Sequence, residues 1–283
     1  MITTNIESRE CCENCGCDQL QTFVISEQHD LLFCPECLLY QKGTPPENEH
    51  YESFYHTGYA RRRNNKIITA RVRLGALTKY VNVEKPRMLD IGCSIGATVE
   101  AGTLLGWRAS GVDVSSAAVN FCSSLGLDCH KIDGTELPFA DDTFDVVTSW
   151  HVIEHVSDVK ETLAEWNRVL KPGGIMVLET PDSQCLKART QGARYAKFWP
   201  QGHLYTFTRS NMSSLLEQSG FEVLPSRIIG SLTALPPHMT MYAAAYRTLR
   251  KAYRGLGLCK SIEVCSRKIS TPAEATKPQR AAA

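Results

Sequence analysis

The sequence has no long apolar run and almost no net charge. No stretch approaches the roughly 18 consecutive apolar residues that a membrane-spanning helix needs, and the first ten residues, MITTNIESRE, lack the apolar core of a secretory signal. With 31 basic and 30 acidic residues the net charge is +1, so no overall field favours a nucleic acid or an anionic membrane as partner. We therefore expect a cytoplasmic protein without a transmembrane segment.

Two common nucleotide-binding motifs are missing from the glycine-bearing turn in PRMLDIGCSIGATVE. A G-x-G-x-x-G fingerprint starting at Gly92 would need glycines where Ser94 and Ala97 stand, and no Gly-Lys-Ser/Thr follows. The pattern present is D-x-G-x-S-x-G, formed by Asp90, Gly92, Ser94 and Gly96. An acid two residues before the first glycine repels a pyrophosphate and attracts a cationic group. The turn therefore predicts a positively charged ligand.

S-adenosylmethionine (SAM) has the groups that this turn favours. It carries an amino group, a sulfonium and a ribose whose two hydroxyls need an acceptor. Asp113 lies twenty-one residues after Gly92, at the end of the strand-like segment ASGVDV. This is where α/β nucleotide folds place a ribose-binding carboxylate. The spacing therefore predicts SAM as the ligand.

Strand-like and helix-like segments alternate between residues 87 and 229, which predicts a doubly wound, mainly parallel sheet covered by helices. Within this region DVKETLAEWNRVL predicts a helix, with Asp158 and Glu161 as a capping box and KPGG as its stop. Its apolar stripe is formed by Val159, Leu163, Trp166 and Leu170. IEVCSR predicts one further strand near the end of the chain.

Five segments in this order resemble class I SAM-dependent methyltransferases, over about residues 86–229. DIGCSIG resembles the first family motif, GVDVS the second, and KIDGTELPFADDTFDVV the segment that supplies an acid to the adenine amino group. SWHVIEHVSD and LKPGGIMVLETPD resemble the motifs of the fourth and fifth strands. The resemblance implies a Rossmann-like α/β fold and methyl transfer. The cofactor-binding residues it implies are Asp90, Gly92, Ser94, Gly96, Asp113, Asp133, Gly134, Trp150 and His151.

Two of these assignments have a structural alternative, namely packing for Trp150 and solvent exposure for His151.

Half of the twelve cysteines lie in the first forty residues. In a reducing compartment such cysteines are metal ligands or small buried hydrophobes more often than disulfides. CENCG contributes Cys12 and Cys15, CPEC contributes Cys34 and Cys37, and eighteen residues separate the pairs, a spacing typical of a structural four-cysteine zinc site. Zinc would stabilise a module too small to bury much core. Redox or merely buried cysteines are the alternative, and Cys11 and Cys17 leave the ligand set open.

These observations divide the chain into four parts. We expect a zinc ribbon over residues 1–43, a linker and helical lead-in over 44–85, the SAM-binding domain over 86–268 and a disordered tail over 269–283. The cysteines outside the ribbon show no paired spacing, which favours core positions, and they are Cys93, Cys122, Cys129, Cys185, Cys259 and Cys265.

The ribbon, YESFYHTGYARR, the methyltransferase core and HLYTFTRSNMSSLLEQSGFEVL together resemble a bacterial subgroup associated with surface glycans and natural products, which includes sugar C-methyltransferases. This resemblance implies a small-molecule, sugar, natural-product or cell-envelope acceptor. It also implies a substrate cover at RYAKFWPQGHLYTFTR, residues 194–209, here named the cover segment.

The catalytic candidates are His203 and Tyr205 in the cover segment and His155 in VIEHV. Histidine titrates near neutrality and takes a proton from a hydroxyl or carbon acid. Packing within the cover is the alternative for His203, and helix capping or packing is the alternative for His155.

Two other functions stay open at this stage. Some RNA methyltransferases carry a zinc ribbon, but the neutral overall charge and the absence of an aromatic base-stacking motif do not favour nucleic acid. A non-catalytic SAM-binding scaffold would be expected to lose Asp90, Gly92 or Asp113, and all three are present. Two basic clusters suggest phosphate binding or peripheral membrane contact, although solvation and packing explain them better. They are Arg61, Arg62, Arg63 and Lys66, and Arg247, Arg250, Lys251 and Arg254.

Overall fold

The computed structural model describes residues 10–25, 30–43, 57–195, 202–225 and 260–269. Within these ranges the strands are β1 (Gln21–Ile25), β2 (Asp30–Phe33), β3 (Tyr40–Lys42), β4 (Arg87–Ile91), β5 (Arg108–Asp113), β6 (Cys129–Lys131), β7 (Phe144–Trp150), β8 (Leu170–Pro181), β9 (Tyr205–Thr206), β10 (Phe221–Val223) and β11 (Ser261–Lys268). The α-helices are α1 (Thr57–Leu77), α2 (Ala97–Leu104), α3 (Ser116–Ser124), α4 (Val159–Val169), α5 (Leu186–Gln191) and α6 (Arg209–Gln218).

Seven strands form one sheet in the order β10-β11-β8-β7-β4-β5-β6. β4 pairs in parallel with β5 and β7, and the parallel pairing continues to β6 on one side and β8 on the other. β11 pairs antiparallel with β8 and β10. The predicted doubly wound, mainly parallel sheet is confirmed. The strand order reverses between β4 and β7, and ligands of such sheets bind beyond the carboxyl ends of the strands at that switch point.

The central strands are buried along nearly their whole length because helices cover both faces of the sheet. Every residue of β7 from Phe144 to Ser149 is buried, and so is every residue of β4 after Arg87. Leu89 of β4 lies opposite Val147 of β7, and both side chains are fully buried. This packed centre fixes the positions of the loops that follow β4 and β7.

Helix α4 illustrates how local signals set the element boundaries. Asp158 accepts a hydrogen bond from the backbone N–H of Glu161 at 2.8 Å, which is half of the predicted capping box. The predicted apolar stripe of α4 is buried. The helix ends at Val169, as KPGG predicts, but strand β8 begins at once with Leu170 and includes KPGG. The predicted turn is therefore an irregular start of β8, where the register with β7 shifts between Phe144 and Val146.

A second sheet joins the ribbon to the methyltransferase core in the order β1-β2-β3-β9. Its first three strands come from the ribbon, and β9 comes from the cover segment, with Tyr40 opposite Thr206. Asn211 of α6 donates its side-chain N–H to the carbonyl oxygen of Cys37 at 3.3 Å. Two parts that the sequence analysis treats as separate modules thus share a sheet and a buried core.

Several sequence predictions fall on residues outside the described ranges. They are the linker at 44–53, residues 196–201 of the cover segment, the basic cluster at 247–254, Cys259 and the tail after residue 269. Among the helices that the structure describes, none combines the length and apolarity required to cross a membrane.

Candidate active site

The turn after β4, residues 92–96, here named the glycine turn, has a left-handed backbone of the kind that glycine permits. Gly92, Ser94 and Gly96 have φ values of 71°, 52° and 68°. Glycine adopts this left-handed region without steric cost, whereas Ser94 does so under strain. The N–H of Gly92 donates to the carbonyl oxygen of Val112 at 2.9 Å, which ties the turn to β5. The glycine turn leads directly into α2, whose N-terminal cap is Gly96.

Asp113, the predicted ribose-binding residue, lies beside the glycine turn at the end of β5. Its carboxylate accepts the backbone N–H of Ser94 at 2.8 Å and that of Ser115 at 2.9 Å. The residue is 7% exposed. Because a carboxylate has about four acceptor positions, these two bonds orient the group and leave it further acceptor capacity.

Asp90 lies beneath the glycine turn rather than at its surface. It is 1% exposed, and Thr148 of β7 donates its hydroxyl to the carboxylate at 2.7 Å. Burial raises the pKa of Asp90 to about 7. The side chain therefore joins β4 to β7 below the switch point, and its contact with a cationic ligand stays a prediction.

Asp133 and Gly134 follow β6, on the same edge of the sheet as Asp113. Asp113 lies opposite Lys131, and the Asp133 side chain is 89% exposed, with its carboxylate 3.4 Å from the Lys131 ammonium. Gly134 has a φ of 81°. The exposed carboxylate is accessible to a ligand, as the adenine assignment requires.

A cavity of about 700 Å³ opens between residues 135–139 and α4. No residue predicted to bind cofactor or acceptor lines it.

The segment after β7 connects the glycine turn to the catalytic candidates. A Cβ atom added to Gly92 would lie 2.3 Å from Cγ2 of Val152, so the two residues are in close contact. The N–H of His155 donates to the carbonyl oxygen of Val152 at 2.8 Å. The segment from Val152 to His155 therefore connects the predicted cofactor position to a catalytic candidate.

Trp150, at the end of β7, is half-buried beneath a cation. The Arg73 guanidinium of α1 lies 4.4 Å from the Trp150 ring centroid and donates to the Glu179 carboxylate at 2.5 Å. Helix α1 thereby covers the carboxyl ends of β7 and β8. The packing alternative for Trp150 and its predicted contact with cofactor are both compatible with this position.

His151 is bonded to a fully buried carboxylate that the sequence analysis did not select. Its Nδ1 lies 2.9 Å from the carboxylate of Glu154, which also accepts the Thr180 hydroxyl at 3.0 Å. Burial is the largest single influence on the pKa of Glu154 and would raise it, but the hydrogen bond with His151 and the charges of His151, His155 and His203 together lower that pKa. Glu154 therefore stays ionised inside the protein. The sequence feature that could have indicated Glu154 is HVIEHV, in which an acid lies between two histidines.

His155 and His203 form the histidine pair of this site. Their ring centroids are 4.6 Å apart and their planes are nearly perpendicular. The Nδ1 of His155 lies 2.8 Å from the carbonyl oxygen of Gly202, which fixes Nδ1 as the protonated nitrogen of the neutral ring. Burial lowers the pKa of His155, and the charges of His151 and Lys42 lower it further, against the opposing effects of Glu154 and the Gly202 carbonyl group. His155 is therefore neutral near pH 7 and able to accept a proton.

Glu154 and the histidine pair form a group in which one ligand-type atom from each residue lies within 4.8 Å of the others. Two imidazoles and a carboxylate suit a divalent metal ion as well as proton transfer.

Tyr205 is less suited to chemistry than the histidine pair. It is 1% exposed, and its hydroxyl donates to the carbonyl oxygen of Ser157 at 3.0 Å. The hydroxyl is therefore engaged in holding the cover segment against the loop after β7, and a catalytic role for Tyr205 stays a prediction.

Main-chain hydrogen bonds connect the ribbon to this site. The N–H of Lys42 donates to the carbonyl oxygen of Leu204, and the N–H of Leu204 donates to the carbonyl oxygen of Glu154 at 2.7 Å. Lys42 itself is 3% exposed, and burial lowers its pKa. The sequence offers no signal for Lys42, because only the β3 and β9 pairing brings it here.

The ribbon gathers the four predicted ligands in one group. One sulfur each from Cys12, Cys15, Cys34 and Cys37 lies within 4.8 Å of the others. Each C-x2-C pair forms a tight turn, with the N–H of Gly16 donating to Cys12 and that of Leu38 donating to Cys34. Four converging thiols are a donor set that fits tetrahedral zinc.

Known proteins resemble this chain over the same residues that form the sheet and the candidate site. A family model described as a methyltransferase domain matches residues 59–226, more than half of the chain. The chain belongs to this methyltransferase family. Its glycine turn, histidine pair and cover segment all lie within the matched range.

Curated relatives of this methyltransferase domain include two proteins named ubiquinone biosynthesis O-methyltransferase. The protein from Brucella ovis is 36% identical over 134 residues, which cover 44% of this chain and 54% of that protein. The protein from Bradyrhizobium sp. is 32% identical over 161 residues, covering 49% and 62%. The chain thus spans less than two thirds of the length of either relative.

Solved structures agree on the fold. A SAM-dependent methyltransferase from Mesorhizobium loti superposes with a TM-score of 0.51 at 18% identity, covering 70% of this chain and 98% of that one. One from Archaeoglobus fulgidus gives a TM-score of 0.51 at 19% identity, covering 75% and 100%. At such identities the likeness establishes the class I methyltransferase fold.

We expect Gly92→Ala to destabilise the protein more than Gly106→Ala. Both glycines have positive φ, 71° and 80°, but an added Cβ meets Val152 at position 92 and no atom within 4 Å at position 106. The shared backbone strain costs roughly 1–2 kcal/mol, and the contact with Val152 adds to it at position 92 only. Urea unfolding of the two variants measures the difference. Equal losses would contradict the close packing of Gly92 on Val152.

Proposed function

We propose that this protein is a SAM-dependent methyltransferase that methylates a hydroxyl group of a small molecule, of the sugar or natural-product class. The observation that carries the proposal is the arrangement around Val152. Its side chain packs on Gly92 of the glycine turn, and its carbonyl oxygen accepts the N–H of His155. A cofactor held at the turn would therefore lie next to a proton-accepting histidine pair.

The residues of the glycine turn suit SAM. Gly92, Ser94 and Gly96 have no large side chain to keep a ligand from the backbone of the turn. Asp113 supplies an oriented carboxylate for ribose hydroxyls, and the exposed Asp133 supplies an acceptor for the adenine amino group. Bound SAM would supply an activated methyl group on its sulfonium.

The protein's own contribution is to align the acceptor, exclude water and remove a proton. A hydroxyl needs a base to become a good nucleophile, and His203 in the cover segment is our candidate for that base. His155, held by Gly202, would orient the His203 ring through their perpendicular contact. The buried Glu154 provides negative charge beside the pair and favours the protonated product of that step.

The buried position of His203 favours a small acceptor. His203 is 9% exposed, so an RNA or protein chain would not reach it without displacement of the cover segment. The names of the two curated relatives include O-methyltransferase, which supports a hydroxyl rather than a carbon or nitrogen acceptor.

We also propose zinc as the metal of the ribbon, with a structural role. Four thiolates close a tetrahedral site and leave no position for water. The ribbon contributes β3 to the sheet that contains β9, so zinc would support the cover segment indirectly.

Loss of the Asp113 charge should abolish tight SAM binding. Asp113→Asn preserves the shape of the side chain but weakens the acceptor that orients the turn and binds ribose, and we expect affinity to fall at least about tenfold, equivalent to 1.4 kcal/mol. Calorimetric titration with SAM and S-adenosylhomocysteine measures this, and Glu217→Gln, an exposed carboxylate on α6, is the control. A folded wild type that binds neither ligand would instead support the non-catalytic scaffold.

Methyl transfer should fall at acid pH as the histidine pair becomes protonated. Because burial and Lys42 lower the pKa of His155, we expect this loss below the ordinary histidine range. Removing the Lys42 charge stabilises protonated His155, so Lys42→Met should move the acid limb to higher pH. A labelled-methyl assay with phenolic and sugar hydroxyl acceptors provides the rates.

His203→Asn should lower the rate by about 10²-fold or more and change the acid limb, which would then report His155 alone, as expected for loss of a general base. His130→Asn, at a half-exposed histidine beside Asp128, is the matched control. A His203→Asn enzyme with an unchanged pH profile would show that His203 only packs within the cover.

Removal of zinc should impair transfer without weakening SAM binding. The ribbon contacts the cover segment through β3 and β9 and does not supply a residue of the glycine turn. Cys15→Ser should therefore lose zinc and methyl transfer but retain SAM affinity, whereas Cys11→Ser, outside the four-sulfur group, should retain all three. Metal analysis and titration report the result, and a fully active zinc-free protein would argue against the structural role.

A further inference from the structure

Three cysteines outside the ribbon converge at one point behind the glycine turn. Cys93 belongs to the turn, Cys122 to α3 and Cys129 to the start of β6, and their sulfur atoms lie within 4.8 Å of one another. The residues are 3%, 0% and 7% exposed. We name this group the three-thiol cluster. The sequence analysis assigned these cysteines to separate core positions, since only the fold brings them together.

The three-thiol cluster is in direct contact with the glycine turn. The Cys122 thiol donates to the carbonyl oxygen of Ser94 at 3.3 Å. A Cβ atom on Gly96 would lie 2.9 Å from the sulfur of Cys122, and one on Gly111 would lie 2.9 Å from the sulfur of Cys93. A displacement of these sulfurs therefore displaces the turn that holds the predicted cofactor.

The surroundings favour negative charge at one of the three sulfurs, because the pKa of Cys122 is lowered whereas those of Cys93 and Cys129 are raised by the neighbouring thiols and by burial. Hydrogen bonds from Cys129 and Cys93 lower the pKa of the Cys122 thiol, and the positive charge of Arg63 lowers it further. Arg63 of α1 also donates to the carbonyl oxygen of Ile95 at 3.0 Å and pairs with Glu100 of α2. One guanidinium thus connects α1, the glycine turn and the cluster.

We propose that Cys93, Cys122 and Cys129 form a binding site for a soft, thiophilic metal ion, and that its occupation weakens SAM binding. Three thiolates without an oxygen or nitrogen ligand select soft cations over magnesium or calcium. Binding of one divalent ion forms three metal–sulfur bonds, and each thiol still protonated loses its proton to solvent.

Geometry explains the coupling to the cofactor. With metal–sulfur bonds of about 2.3 Å, a trigonal site holds its sulfurs about 4 Å apart, which is compatible with the 4.8 Å limit within which they lie here. Metal binding would remove the thiol proton that Cys122 donates to the Ser94 carbonyl oxygen, so the glycine turn would lose that hydrogen bond. The proposal is independent of whether the protein transfers a methyl group, because it concerns metal uptake and the shape of the turn.

Metal counting on the full-length, zinc-loaded protein tests the site. After dialysis against Cd²⁺, we expect each wild-type chain to bind one more Cd²⁺ ion than the number of zinc ions that its ribbon releases. The extra ion should add thiolate-to-metal absorption. Cys129→Ser should lose this extra ion and its absorption. Cys265→Ser, a buried cysteine of β11 outside the cluster, is the matched control. If serine prevents folding, Cys129→Ala replaces it. Equal Cd²⁺ counts in wild type and variant would overturn the proposal.

A SAM titration with and without Cd²⁺ tests the coupling. We expect Cd²⁺ to weaken SAM binding at least about tenfold, equivalent to 1.4 kcal/mol, in the wild type and in Cys265→Ser but not in Cys129→Ser. Uptake of the extra ion without a change in SAM affinity would overturn the coupling. Failure of the zinc-loaded wild type to bind SAM without Cd²⁺ would overturn the proposed function, and the metal count would still test the three-thiol cluster as a metal site.

Discussion

The hydrogen bond from the N–H of Leu204 to the carbonyl oxygen of Glu154 is the constraint on which the site depends. It joins the cover segment to the loop after β7, which packs on the glycine turn at its other end. The same residue, Leu204, accepts the N–H of Lys42 from the ribbon. Ribbon, cover and core therefore meet at one residue, and the position of His203 follows from bonds that no single segment makes alone.

This arrangement gives the ribbon a role in the site. A module of about forty residues cannot bury enough apolar surface to be stable alone, and here it shares both a core and a sheet with the cover segment. Its metal would then stabilise the cover as well as the ribbon. Lys42 adds an electrostatic effect, because a buried cation beside His155 favours the neutral imidazole.

Buried charge is concentrated near the carboxyl ends of the central strands. Asp90 joins β4 to β7, and Glu154 is held by His151 and Thr180. Burying a carboxylate is costly unless it is paired or hydrogen-bonded, so these residues restrict how the strand ends and the following loops are arranged. The three-thiol cluster contacts the glycine turn, which is one of these loops, and adds thiol groups to the carboxylates of this region.

The sequence by itself determined the sheet, the glycine turn and the four ribbon cysteines, because each depends on local signals: apolar runs, glycines at positive φ and C-x2-C spacing. The tertiary structure alone decided the roles of Lys42, Glu154 and the three-thiol cluster. Their significance arises from contacts between residues distant in sequence, and periodicity and spacing report only on neighbours along the chain. Asp90 shows the difference clearly, since its place in the motif was evident while its burial beneath the turn depended on Thr148 of another strand.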